Sequence, residues 1–239
     1  MFLFNKKRIL FISLLIVFSI FYSGISKDIF LKSLPVSSTP VANHIIILDA
    51  GHGNPDGGAV SNDGSVIESN INLSVVLKLQ NLLETAGCRV LLTRSDENGI
   101  YETTAETIRQ QKISDMKNRV KIGNNSGAEL FISIHMNKLP QTQYYGWQSF
   151  YKNKDETSKK IAQNIQTSLN YYMKKENKRE IKSISKIYLT EHVEIPLILI
   201  ECGFLSNQEE TELLKKDSYQ DKLAWSIYIG IMEYFENIK

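Results

Sequence analysis

Residues 44–52 read HIIILDAGH. Ile45 to Leu48 form a short, unbroken apolar run closed by Asp49-Ala50-Gly51, the pattern of a strand buried on both faces. Two later runs repeat it. Leu130–Ile134 (LFISI) ends on His135, and Leu197–Ile200 (LILI) ends on Glu201, followed by Cys202 and Gly203. The segments between them have helical spacing. Asn72–Thr85 carries Leu73, Val76, Leu77, Leu79, Leu82 and Leu83, with Gly87 suited to the C′ position. Ala105–Asn124 reads as a polar helix with Ile108, Ile113, Met116 and Val120 turned inward. Thr157–Tyr172 and about Tyr219–Phe235 are further helices. Ser206-Asn207-Gln208-Glu209 fits a capping box that opens a helix through Leu213 and Leu214. Cys88–Thr93 (CRVLLT) and Trp147–Tyr151 are additional strands. The alternation predicts one α/β domain over residues 44–239, with a twisted, mostly parallel central sheet flanked by helices on both faces.

The chain has 239 residues, 42% of them apolar, enough for a sizeable core. That composition excludes global disorder, collagen-like repetition and a multi-pass membrane protein. The net charge of +2 lacks the basic excess of nucleic-acid binders, so no nucleic-acid partner is expected. Cys88 and Cys202 are too few for a disulfide framework and are read as reduced thiols. The N-terminus sets the compartment. Lys6, Lys7 and Arg8 precede 18 uncharged residues, Ile9–Ser26. A bilayer core takes about 20 apolar residues, and a basic flank stays cytoplasmic. Residues 1–26 therefore read as a signal or membrane anchor, with an uncleaved anchor favoured over a signal cut near Gly24 and Ser26. Residues 27–43 read as a linker, and the chain from Lys27 onward is placed outside the cytoplasm.

The chemistry gathers at strand ends. In open α/β sheets, ligands bind beyond the carboxyl ends of strands. His52 and His135 each follow a buried run directly, and Glu201 ends a third. His44 precedes its strand and His192 lies in a polar stretch, so neither is a candidate ligand. Two histidines with carboxylates suggest zinc, whose catalytic sites keep three protein ligands and one open position. Glu68 is the leading acid for the third place, with Asp49, Asp56 and Asp63 competing. Its bland alternative is an acid complementing a helix dipole. Glu201 is the natural general base. Its alternative is a buried acid paired to Arg94 or Arg119. Tyr144, Tyr145, Trp147 and Tyr151 are read as core packing ahead of a sugar-stacking surface. Lys174, Lys175, Lys178, Arg179 and Lys182 flank a loop whose default is a solvated face.

The segments IIILDAGHGNPDGGA (45–59), IES with Asn72 following (67–72), VLLTR (90–94), LFISIHMN (130–137) and LILIECGFLSNQEE (197–210) resemble the zinc-dependent N-acetylmuramoyl-L-alanine amidases. The resemblance covers nearly the whole of residues 44–235, and five motifs in order are far more specific than one. It implies a zinc amidase/exopeptidase-like fold and one Zn2+ per chain on His52, Glu68 and His135. Glu201 would be the catalytic glutamate, Arg119 a structural group near the site and Asn137 a substrate contact. The substrate would be peptidoglycan, cut between the lactyl group of N-acetylmuramic acid and L-alanine. A short membrane segment, one catalytic domain and no wall-binding repeats resemble the spore-cortex amidases of endospore formers. That likeness implies a forespore intermembrane location, a role in muramic-δ-lactam formation and germination, attachment to the membrane through the N-terminal segment, and a membrane-associated helper protein. Asn54 and Met136 depart from the pattern, and Met136 would narrow the site or weaken metal retention. Rival readings are a zinc carboxypeptidase or deacetylase on wall peptides, and a catalytically silent protein that recruits wall enzymes.

Overall fold

The computed structural model describes residues 12–19 and 39–237, and the chain divides into two units, Met1–Ser38 and Thr39–Lys239. Residues 12–19 are helical. Most of the anchor read over residues 1–26, and of the linker read over 27–43, lies outside the described residues. Among the described residues, no helix is long and apolar enough to cross a membrane.

The second unit runs β1 (Ile45–Ala50), α1 (Glu68–Thr85), β2 (Arg89–Leu92), α2 (Ile108–Asn125), β3 (Leu130–Asn137), β4 (Gln148–Lys152), α3 (Glu156–Met173), β5 (Lys182–Ile184), α4 (Tyr188–His192), β6 (Leu197–Phe204), α5 (Gln208–Leu214) and α6 (Asp217–Asn237). The six strands form one sheet in the order β2-β1-β3-β6-β4-β5. The β1–β2, β1–β3, β3–β6 and β4–β5 pairings are parallel, and only β4–β6 is antiparallel. The expected α/β sheet is present, with β4 and β5 reversed on one side.

Side chains alternate across a strand, and here the alternation divides the core in two. Ile46, Leu48 and Ala50 of β1, with Ile132 and Ile134 of β3 and Ile198 and Ile200 of β6, pack against α1, α3 and α6 through Val76, Leu79, Ile165, Leu169, Leu223 and Ile227. Ile47, Phe131 and Leu197 face the other way, against Met116 and Val120 of α2 and Leu189 and Val193 around α4. Asp49, Ser133, His135 and Glu201 share that second parity. They continue the α2 face past the end of its apolar layer, so the polar site is built where the smaller core runs out.

Several boundaries differ from the sequence expectation. Ile108 and Ile113 are exposed rather than inward, so α2 is anchored by Met116, Val120 and Arg119. Its start is fixed instead by a capping box between Thr107 and Gln110. The cap of α5 is Asn207, which accepts the Glu210 N–H at 3.1 Å, not Ser206. Strand β5 and helix α4 are three and five residues long, too short to leave a periodic signal. Cys88 and Cys202 are buried free thiols, as expected.

Candidate metal centre

His52 lies just past β1, in a glycine-flanked turn where it adopts φ 63°. That left-handed conformation is uncommon for a residue with a side chain and persists only where its surroundings impose it. Two arginines impose it here. Arg119, 1% exposed, donates from Nη2 to the His52 carbonyl at 2.6 Å and from Nη1 to the Ala50 carbonyl at 2.9 Å. It is held by ion pairs to Asp49 and, at 2.6 Å, to Asp115. Arg94 donates to the carbonyls of Ala50, Gly51 and Ser69 at 2.8, 3.2 and 2.8 Å. The turn after β1 is thus tied to α2 and to the start of α1.

Glu68 is the first residue of α1 and is buried. Its Oε2 accepts the Ala59 N–H at 2.7 Å, and its Oε1 accepts the Met136 N–H at 3.1 Å. Oε1 also lies 2.9 Å from His135 Nδ1 and 3.3 Å from His52 Nε2. Burial resists ionisation, but hydrogen bonds from His135 and His52 outweigh it and hold the Glu68 carboxyl well below the usual carboxylate range. One ligand atom from each of His52, Glu68 and His135 lies within 4.8 Å of the others. Atoms sharing one zinc at ~2.0–2.2 Å stand roughly 3–4 Å apart, so this donor set of two imidazoles and one carboxylate fits that ion.

The competing acids go elsewhere. Asp49 pairs with Arg119 and accepts from Thr93 and Ser133. Asp63 closes a local turn with Ser61 and Ser65. Asp56 stands behind the cluster. Its Oδ2 is 3.0 Å from His52 Nδ1 and its Oδ1 is 2.9 Å from Lys112 Nζ. A carboxylate on one imidazole nitrogen fixes the tautomer and turns the other nitrogen to the metal. Although burial favours the neutral ring, the Asp56 and Glu68 carboxylates raise the His52 pKa to about 9. Asp56→Asn is therefore expected to weaken zinc binding about 10–100-fold, by analogy with other outer partners. Competition with a chelating dye would measure it.

Glu201 is the register partner of His135 on β6. Arg94 and Arg119 are committed to the contacts above, so neither pairs with it. Its Oε2 is sealed from solvent and has no hydrogen-bond partner. Burial pushes this carboxyl up to about 7. Asn137, two residues beyond His135, accepts the Leu205 N–H on its carbonyl. A cavity of about 160 Å³ opens beside the cluster, bordered by His52, His135, Tyr101, Gln111, Lys112 and Leu189. His44 pairs with Glu129 at the opposite end of β1, and His192 stacks on Tyr188, so neither joins the site. Met136 is buried in the main core, on the face away from the cluster, and so does not narrow the site as its position in the motif suggested.

The Asp49–Arg119 pair also carries stability. Burial alone would raise the Asp49 carboxyl. Arg119, Ser133 and Thr93 outweigh it and hold it below its ordinary value. A depressed carboxylate contributes stability above the unfolded-state pKa and loses it as pH falls through the folded value. Arg119→Met is expected to cost about 3–5 kcal/mol at neutral pH, because it strands a buried charge. Denaturant unfolding would show that gap narrowing in acid.

His52 and His135 past two strand ends, Glu68 at the head of α1 and Glu201 on a third strand bring together a donor set and a neighbouring carboxylate that suit a metal-dependent hydrolase. Residues 46–233 match the N-acetylmuramoyl-L-alanine amidase family, and the chain belongs to it. It is 42% identical over 198 residues to the germination-specific N-acetylmuramoyl-L-alanine amidase of Bacillus subtilis, spanning 83% of this chain and 82% of that one. Among solved structures it resembles the CwlD amidase from Clostridioides difficile in complex with the GerS lipoprotein. There the TM-score is 0.80 and the identity 46%, over 82% of this chain and all of that one. An N-acetylmuramoyl-L-alanine amidase from Clostridium difficile 630 aligns with a TM-score of 0.72 at 28% identity, over 83% of this chain and all of that one.

Proposed function

We propose that this amidase acts in spore-cortex maturation, with one zinc ion held by His52, Glu68 and His135 and with Glu201 as its general base. The observation that supports this most is the pairing of the three-donor cluster with an adjacent carboxylate that has no structural partner. Zinc, when bound, supplies Lewis acidity to the lactyl carbonyl and makes water a nucleophile near neutral pH. Glu201 accepts the proton of the attacking water on its carboxylate and returns it to the departing alanine amine, which leaves poorly without it. A carboxyl poised near neutrality suits both transfers. Asp56 and Arg119 hold His52 in place, and Glu68 is aligned by the Ala59 and Met136 amides.

The cortex role rests on likeness to the germination-specific relative. Release of the stem peptide leaves bare muramic acid, which a separate deacetylase could carry to the δ-lactam. The basic cluster and apolar run before residue 27 favour anchoring at the membrane of the forespore, with the catalytic domain in the intermembrane space. The complex of the Clostridioides difficile relative with a lipoprotein makes a lipoprotein the favoured helper here. The test is zinc content and muropeptide cleavage on the full chain, with and without such a helper. About one zinc per chain, with stem peptide released, is the expected result. Stoichiometric zinc without cleavage, helper present, would overturn it.

A further inference from the structure

A second built feature flanks Glu201 on the side away from the zinc cluster. In β6, three residues from Glu201 to Phe204 face two in β3, from His135 to Asn137. The extra residue is a bulge, and it returns Phe204 to the side of the sheet that Glu201 occupies. On β4, the register partner of Glu201 is Gln148, and the loop entering β4 carries Tyr144 and Tyr145. Arg179 lies over both features. Its guanidinium carbon is 4.4 Å from the Phe204 ring centroid and 5.6 Å from that of Tyr144, and its Nε donates to the Tyr145 carbonyl at 3.2 Å. Lys175 Nζ sits 4.3 Å over the Tyr145 ring. Among the described residues, neither cation has a carboxylate within 4.0 Å, although both act electrostatically on the buried Glu210, while the adjacent Lys178 pairs with Glu176 at 3.2 Å.

The platform is fixed from below. Glu210, fully buried, accepts the Gly146 N–H on Oε1 and the Phe204 N–H on Oε2, both at 2.8 Å. Asn177 donates to the Trp147 carbonyl at 2.8 Å and pins the Arg179 loop to the tyrosine loop. Gly146 has φ 95°, and a Cβ there would strike Asn177, so the two loops meet this closely only with glycine. A cavity of about 220 Å³ lies between them, bordered by Tyr144, Tyr145, Lys178 and Arg179. Trp147 and Tyr151, by contrast, belong to the core.

A guanidinium held between aromatic faces, with its outer N–H groups free, is suited to a planar carboxylate. Because of the bulge, Glu201 and Phe204 lie opposite His135 and Asn137, only two residues apart on β3, about 7 Å along the strand. An extended peptide covers that distance in roughly two residues. We propose that Arg179, with Tyr144, Tyr145 and Phe204, forms a subsite for a free carboxylate on the stem peptide, about two residues beyond the scissile amide. The proposal rests on the amidase reading and adds to it a determinant of which stem peptides are cut. A solvated basic loop would need neither the stacking nor the buried Glu210 beneath it.

The test uses the full chain, zinc-loaded, on paired muramyl peptides that differ only in the α-carboxyl of the second stem residue, free or amidated. Wild type is expected to favour the free acid by about tenfold or more in kcat/KM, mainly through KM, as a charged hydrogen bond warrants. Arg179→Ala should abolish that preference, lowering kcat/KM for the free acid far more than for the amidated peptide. Arg179→Lys should keep only part of it, having lost the fork. Thermal unfolding checks that both variants fold. Equal cleavage of both peptides by wild type, or an unchanged preference in Arg179→Ala, would overturn the subsite. Calorimetry with the free stem peptides, acid and amide, reads the subsite without turnover. Acid-dependent binding lost in Arg179→Ala, in a protein that cleaves neither substrate, supports the subsite and counts against the amidase reading alone.

Discussion

Glu201→Gln is expected to keep its zinc and lose about 10²–10⁴-fold in kcat, the contribution usual for a positioned general base. Glutamine has the same shape, so β6 and its pairing to His135 are undisturbed, but it cannot take a proton from water. The loss should fall on kcat more than on KM, because the proton transfers are made in the transition state. A purely structural carboxylate would behave differently, since its removal would lower stability and move kcat little. The stability of the metal-free protein provides the contrast. The Glu201 carboxyl is pushed up to about 7 by burial, so its charged form is strained in the fold. An acid with a raised folded pKa costs stability as pH rises through the interval between its unfolded and folded values. Glu201→Gln should therefore unfold at a higher Tm than wild type above about pH 7, and the two should converge in mild acid. Turnover within tenfold of wild type, with zinc bound, would remove Glu201 from the proposed mechanism.

The parts legible in the sequence were those with strong local signals. The three buried runs ending on His52, His135 and Glu201 were readable because a two-faced strand is apolar throughout and its polar successor marks the end. Glu68 was ambiguous, because an acid opening a helix looks the same whether it complements the dipole or reaches into a site. Only the placement of α1 against β3, which brings the Met136 amide to its Oε1, separates these. Asp56 competes as a ligand on sequence grounds and stands one bond further out, on His52 Nδ1, a distinction of about one side-chain length that no spacing encodes. The clamp by Arg94 was invisible for a related reason. Its partners are backbone carbonyls, which carry no sequence signature. The inward assignment of Ile108 and Ile113 misled because periodicity gives a stripe and not its width, and α2 rests on a small second core. The reversal of β4 depends on where the short β5 and α4 send the chain, and those segments are too brief to show a period.

Gly51→Ala is expected to strip zinc from an otherwise folded protein. Gly51 stands directly before His52, just past the end of β1. A Cβ built at Gly51 would collide with three atoms of the His135 imidazole ring. Gly51 does not occupy the left-handed region, so alanine adds no backbone strain. The whole effect is the displacement of one side chain, and a ring can swing aside far more cheaply than a strand can move. His135 Nδ1 would then leave the 2.9 Å contact with Glu68 Oε1 that places it in the cluster, and two ligands would remain where zinc needs three. Gly58→Ala offers a graded comparison, since its Cβ would press on Glu68 Oε2 and the His52 ring and its φ of 70° adds strain. Gly64→Ala shares a positive φ but meets no atom within 4 Å, and should keep its metal. Metal analysis and thermal unfolding on the three variants separate the causes. Zinc lost in Gly51→Ala at near wild-type metal-free Tm, and retained in Gly64→Ala, is the expected pattern. Full zinc and full turnover in Gly51→Ala would mean that His135 holds no metal in the position described, and the proposed ligand set would fall with it.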